Sequence, residues 1–446
     1  MSEFLTKSTE LNTVFKQSVL KNKLHYPWIV IGFCSLFLFY KYIMQVSPSV
    51  MTRDLMRVFH LDGAGLGNLA AMYFYAYLIT QLFAGPLIDR YSPKYLTAMA
   101  IAICALGALL FAHAHLLITA EIARILIGAG TAFATVSYMK MSSLWFQQKQ
   151  VALVDGLLAT AGMTGALCGQ VPLTLLVAYA GWRACLSDCA LLGLIITVLF
   201  LLFVKEKKIN DAPADTSKKE KSSLFLNLFL LLKDKRNWLL TFYSGLAFTP
   251  LSVLGGLWGN PFFEEAHRLN PAEAASFTSC IFLGFAAGGP FFGFLSHYFD
   301  DKIKSMLYGT SLAFLSLTTA IYINALPLWA FGVLLFLFGL GTGAFMSCFA
   351  AGKEINSIKL AATVVALINT GDGFFGSFTE PMIGKFLDIF WKGKVINHVH
   401  YFPLHDFFIA FSMLPFYLLL ALICLVLFKK VNAEYKKIAY LKPNDL

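Results

Sequence analysis

Apolar residues along this chain gather into runs of about 20 or more, long enough as helices to cross a ~30 Å hydrocarbon layer. Read against the intervening turn residues, the runs predict twelve spans: 27–51, 64–88, 95–115, 117–140, 151–179, 182–204, 237–262, 273–297, 305–324, 328–352, 360–390 and 406–428. One long polar stretch, 205–236, separates the sixth span from the seventh. It holds an Asp-Ala-Pro-Ala-Asp segment and the cluster Lys218-Lys219-Glu220-Lys221, and reads as a linker between halves 27–204 and 237–428. Residues 1–26 and 429–446 are polar tails. The first apolar run is too long for a cleaved leader and has no small-residue cleavage site, so it is expected to stay as the first span.

Composition points the same way. Of 446 residues, 58% are hydrophobic and 13% charged, too few charges to cover a soluble protein of this size. The expected class is an all-α membrane protein. The net charge of +10 is no nucleic-acid signature, because its basic residues cluster in the connections. With both termini cytoplasmic, the inner segments carry 25 Lys and Arg and the outer loops 6, the asymmetry that orients membrane helices. The eight cysteines sit in or beside apolar runs without CxxC spacing, so neither a metal site nor a disulfide framework is expected.

The two halves echo each other. Gly85-Pro-Leu-Ile-Asp89-Arg90 corresponds to Gly293-Phe-Leu-Ser-His297-Tyr298 at an offset of 208, Gly128 and Gly130 to Gly339 and Gly341 at 211, and Gly162 with Pro172 to Gly371 with Pro381 at 209. Three matches in order at nearly one spacing indicate a duplicated bundle. Small residues at these places let helix backbones approach closely.

These motifs resemble the major facilitator superfamily over nearly the whole chain. Gly85-Pro-Leu-Ile-Asp89-Arg90-Tyr-Ser-Pro-Lys94 is similar to its signature between spans 2 and 3, Arg124-Ile-Leu-Ile-Gly128-Ala-Gly130 to its span-4 motif, and Gly181-Trp182-Arg183 to its span-6 opening. Ser92 replaces a usual glycine, and His297 stands where the second copy has Asp. The resemblance implies two pseudo-symmetric six-helix bundles that rock about a central site. It also implies a gate role for Gly85, Asp89, Arg90 and Lys94, with Asp89 facing the start of span 11 near Ala361. The family's antiporter Gly-Pro motif is missing from 157–172, which implies symport or uniport.

A charge at mid-bilayer costs about 2.5–3.5 kcal/mol even on lenient scales, so each one needs a reason. Lys41 lies fourteen residues into span 1, roughly 20 Å along at 1.5 Å per residue. Two readings stand for it: binding an anionic group of the substrate, with Gln45 one turn further and Tyr42 adjacent, or pairing with Asp372. Tyr73 and Tyr77 share a face by their i,i+4 spacing and are expected to line the same cavity. Arg124 is either ion-paired with Glu121, three residues before it, or, by resemblance, part of coupling and substrate contact. Asp372, between Gly371 and Gly373, is the leading proton-coupling candidate, with Glu121 beside it. Glu380 and Asp188 lie nearer the outer ends, and Lys385 with Asp388 is expected to form a surface pair. The Trp258-Gly-Asn260-Pro261 segment is expected to break span 7 and form an outer gate.

No HExxH, GxSxG or Walker pattern appears, which argues against an enzyme. The expected protein is a secondary active transporter of a bacterial inner membrane, taking up a small organic anion or zwitterion with protons. Its alternatives are an exporter of drugs or metabolites, an importer of a siderophore chelate, and a non-transporting receptor. The expected partners are a small-molecule substrate, protons and lipid, without nucleic acid or cofactor, and the expected state is a monomer.

Overall fold

The computed structural model describes residues 26–206, 231–323, 325–356 and 361–441. The 1–25 segment, residues 207–230 of the expected linker, 357–360 and 442–446 lie outside the described residues. Long helices follow one another: α1 (Tyr26–Val50), α2 (Gly63–Arg90), α3 (Pro93–Ala112), α4 (Leu117–Trp145), α5 (Gln148–Cys168 and Val171–Ala180) and α6 (Trp182–Phe203). The second series is α7 (Lys235–His267), α8 (Pro271–Tyr298), α9 (Lys302–Tyr322), α10 (Leu328–Ile355), α11 (Ala361–Phe390) and α12 (Leu404–Tyr435). Among the described residues, nine helices are long and apolar enough to cross a membrane. The helices at the places of the second, ninth and eleventh expected spans, α2, α9 and α11, are 28, 21 and 30 residues long and fall outside those nine. A two-residue hairpin, Val395–Ile396 with Val399–His400, lies in the connection before α12.

Local chemistry explains where helices begin. The Asp62 carboxylate accepts from the Gly65 amide at the head of α2, and Asp301 accepts from Ile303 and Lys304 at the head of α9. Asn270 and Glu273 form a reciprocal capping box on α8, with Pro271 in the first turn where its missing N–H is harmless. These partners satisfy amides that a helix start leaves bare.

Several expected spans are less continuous than their apolar runs suggested. α4 shifts its path at Ala132, α5 at Gly169 and Gln170, and α10 through a 3-10 turn, Gly343–Met346. In α7 the expected break is a π-helical turn instead, Leu254–Trp258, after which the helix resumes through Pro261. Hydropathy alone does not register such turns, because nearly every residue in them, Gln170 apart, stays apolar or small.

Packing reproduces the sequence echo. A Cβ at Gly128 would strike the Tyr73 backbone of α2, and one at Gly339 the Ile281 backbone of α8. Likewise Gly130 meets Ala100 and Cys104 of α3, and Gly341 meets Gly309 and Ala313 of α9. The paired contacts are separated by 208 or 209 residues, so each glycine admits the equivalent neighbour. Between the two series, α2 packs along α11, and α5 packs on α8.

Candidate functional site

Lys41 is 5% exposed on α1 and points at aromatic groups of α1 and α2. Its Nζ donates to Tyr77 Oη at 3.2 Å and sits 4.8 Å from the ring centroids of both Tyr42 and Tyr77. Cation–π contact of this kind steadies an ammonium in a dry setting without neutralising it. Tyr73 stacks on Tyr77 at 5.9 Å, donates to Gln45 Oε1 at 3.3 Å and accepts from Thr131 Oγ1 at 3.1 Å. The i,i+4 face and the one-turn step from Lys41 to Gln45 therefore meet in one polar cluster.

The second series closes this cluster from the other side. Asn369 interacts with the Tyr77 hydroxyl. Asp372 accepts from Ser244 Oγ at 2.5 Å and acts electrostatically on Lys41 across the seam. No Lys41–Asp372 ion pair within 4.0 Å is present among the described residues. An ammonium has three donors, and the one hydrogen bond to Tyr77 leaves two for a ligand. A narrow pocket adjoins the cluster, lined by Tyr42, Gln45 and Met163 of the first series and Ser252, Gly256 and Phe282 of the second. Asn369 and Ser244 were not singled out from sequence, since an isolated Asn or Ser in an apolar helix carries no pattern.

Arg124 is 1% exposed and does not pair with Glu121. Its two terminal nitrogens donate to the Met44 carbonyl of α1 at 3.0 Å and the Ala70 carbonyl of α2 at 3.2 Å, and its plane lies 5.2 Å from the Tyr73 ring. Glu121 instead accepts from Asn68 at 3.4 Å. Three residues along a helix is close, but Arg124 turns instead to carbonyls of the two neighbouring helices α1 and α2. The expected Lys385–Asp388 pair is also replaced: Asp388 accepts from the Gly63 and Ala64 amides at 2.8 and 2.7 Å, and Lys385 is exposed. A carboxylate at the head of α2 meets its bare amides and positive dipole end, a better partner than a solvated lysine.

Those Asp388 bonds belong to an end at which the two series are closed on each other. Gly63 lies against the Gly384 backbone, and Gly67 against Glu380 and Pro381. Gln170 at the α5 bend donates to Ser49 Oγ at 3.2 Å and to the Gly255 carbonyl at 3.0 Å. Asn260 donates to Gln170 Oε1 at 3.1 Å and to the Ser49 carbonyl at 3.2 Å, and accepts from Thr278 at 2.5 Å. All four side chains are buried, so the network is paired throughout and holds α1, α5, α7 and α8 together. Replacing Asn260 with leucine leaves the Gln170 side-chain carbonyl bare and takes from the Thr278 hydroxyl its shorter acceptor, with only the Ala274 carbonyl at 3.4 Å remaining. We expect it to lower the melting temperature of the purified protein by several degrees; an unchanged melting curve would show that the network adds nothing.

Towards the opposite helix ends, Gly85, Gly289 and Gly293 meet nothing within 4 Å. Arg90 and Lys94 lie over the rings of Tyr91 and Tyr95, at 5.8 and 5.5 Å, and the side chains of Asp89 and Ala361 lie outside the described residues. In the second copy, His297, Asp300, Lys302 and Glu354 line a cleft of ≈ 600 Å³, bridged by a Lys302–Glu354 ion pair.

Comparison with known proteins agrees with this architecture. The pattern described as Major Facilitator Superfamily matches residues 29–379. The chain is 23% identical over 312 residues to the uncharacterized transporter YybO of Bacillus subtilis (strain 168), covering 66% of this chain and 70% of that one. It is 28% identical over 279 residues to the hexuronate transporter of the same organism, spanning 59% of this chain and 63% of that protein's length. Among solved structures, an inward-facing, occupied bacterial homologue of the human lysosomal transporter Spinster superposes with a TM-score of 0.73 at 16% identity, covering 91% of this chain and 97% of the other.

Proposed function

The chain belongs to the major facilitator superfamily, and from that premise we propose that this transporter takes up a small organic anion or zwitterion by alternating access, driven by protons. The observation that carries the reading is Lys41, a buried ammonium with two unused donors, set where both series meet and within the field of Asp372. A carboxylate-bearing substrate fits that cation, and the similarity to a hexuronate transporter supports the same chemical class.

The full reading has twelve spans in two six-helix halves, 27–204 and 237–428, with both termini cytoplasmic in a bacterial inner membrane. The glycine contacts that recur after 208 and 209 residues support the duplication. The 25 to 6 distribution of Lys and Arg supports the orientation. In that frame the closed end faces outwards, and Gly85, Asp89, Arg90 and Lys94 serve the inner rim. Lys41 holds the substrate's charge while Gln45, Tyr73 and Tyr77 orient it. Arg124, each of whose terminal nitrogens donates to one backbone carbonyl, adds positive potential beside the cluster. Glu121, bonded to Asn68 away from the cluster, stands outside the proton path.

Asp372 carries the coupling proton. A substrate anion arriving at Lys41 competes with Asp372 for the same positive field, so loading substrate favours a proton on the acid. We expect Asp372→Asn to abolish accumulation driven by an imposed proton gradient while exchange of internal for external substrate continues. A gradient of two pH units supports up to about 100-fold accumulation at one proton per substrate. Gradient-driven accumulation surviving in the variant would remove Asp372 from the coupling step.

A further inference from the structure

Glu380 is 1% exposed, and its Oε2 has no hydrogen-bond partner among the described residues. Its surroundings come from both halves. Gly67 of α2 packs on its backbone, the Trp258 indole donates to its carbonyl at 3.1 Å, and a Cβ at Gly256 would lie 3.3 Å from its Oε1. Gly256 also lines the central pocket, so the acid stands between that pocket and the closed end.

The charge acting on Glu380 is Arg124, from the other half. They do not form an ion pair, since the terminal nitrogens of Arg124 go to Met44 and Ala70 and its Nε is also unpartnered among the described residues. The other elements against α11 bring little. Tyr75 of α2 feels the acid, while Asp406 and His405 near the start of α12 face each other at 3.7 Å. The charges Lys235 and Arg236 of α7, and Lys353 and Glu354 of α10, sit at the opposite helix ends. Glu264, Glu265 and His267 of α7 lie towards the same end as Glu380, with Glu264 paired to Arg53, Glu265 accepting from the Tyr401 hydroxyl and His267 packed on the Phe331 ring.

A buried carboxylate with one bare oxygen and only a remote cation meets a desolvation cost that its attraction does not offset. When the halves separate at this end, α2 and Arg124 withdraw from α11, and water reaches the acid. We propose that Glu380 is a second proton station: it takes a proton from the outer side while this end is open, and the end closes over the neutral acid. Eight residues separate Glu380 from Asp372 on the same helix, about 12 Å at 1.5 Å per residue. The two acids therefore divide the path, an outer station that governs closure and an inner one that meets Lys41. This rests on the reading of the chain as a proton-driven transporter.

The test uses the full-length protein in liposomes without substrate, carrying spin labels at His115→Cys and Ala325→Cys after replacement of the eight native cysteines. Both labelled positions are exposed, one on the rim of each half. Between pH 8 and pH 5 we expect the closed-to-open ratio to rise about tenfold, as a single linked proton permits. Glu380→Gln should hold the closed distance at both pH values, Glu380→Asp should restore the response, and Asp372→Asn should keep it. A Glu380→Gln protein that still responds, or an unlabile distance in the parent, overturns the proposal. Uptake under an imposed gradient is measured in parallel. If that uptake is proton-independent the coupling reading fails, whereas gradient-driven uptake without the distance response rejects Glu380 alone.

Discussion

Replacing Lys41 with alanine should lower the affinity for an anionic substrate by about 10- to 100-fold while leaving the protein folded and monodisperse. Hydrogen bonds to a charged group contribute about 1.5–3 kcal/mol, and each 1.4 kcal/mol is tenfold in affinity. The substitution removes the central ammonium and two unused donors, but it leaves Tyr77 its interactions with Asn369 and Thr135. Folding is therefore spared more than binding. Calorimetric titration against a sugar acid and an uncharged sugar of equal size separates the effects: only the acid should lose affinity. Equal affinity for the acid in both proteins would mean that the ammonium is structural, and the anion preference would fall with it.

Much of this site could be read from sequence because it follows helix period. Lys41 and Gln45 share a face of α1, Tyr73 and Tyr77 share one of α2, and the structure joins the four through two hydrogen bonds and a stack. Depth in an apolar run was enough to mark Lys41 and Asp372, since a charge there has no bland place to go. The partners of those charges were harder. Glu121 and Arg124 satisfy the spacing rule for an ion pair, yet Arg124 caps two carbonyls and Glu121 turns to Asn68. Asp388 likewise prefers the amides of Gly63 and Ala64, 324 or more residues away, to Lys385 nearby. Local spacing says which side chains can meet, but tertiary packing supplies backbone partners that no spacing rule contains. Glu380 shows the other limit: its Oε2 lacks a partner among the described residues, and no sequence pattern records a missing partner.

Gly67→Leu should prevent the two series from closing at the end where Asp388 meets Gly63. A Cβ at this glycine would lie 2.7 Å from the Pro381 Cα and 2.8 Å from the Glu380 carbonyl carbon, and both are backbone atoms with no rotamer to yield. The residue lies in one half and its obstacle in the other, so the strain is relieved by parting the halves rather than by unfolding either. Overpacking costs about 1–3 kcal/mol, which lowers the closed-to-open ratio by roughly 5- to 150-fold. Labels at positions 115 and 325 should therefore report the wide distance at every pH, and net uptake should fall in proportion. Gly32→Leu provides the comparison, since nothing lies within 4 Å of that glycine's Cβ direction. A Gly67→Leu protein with the parental distance and full uptake would show that the contact between α2 and α11 is no step of transport. The same separation exposes Glu380, so the variant should also lose the pH response, this time from the open side of the equilibrium. Opposite fixed states from Gly67→Leu and Glu380→Gln would identify steric closure and proton loading as two controls on one movement.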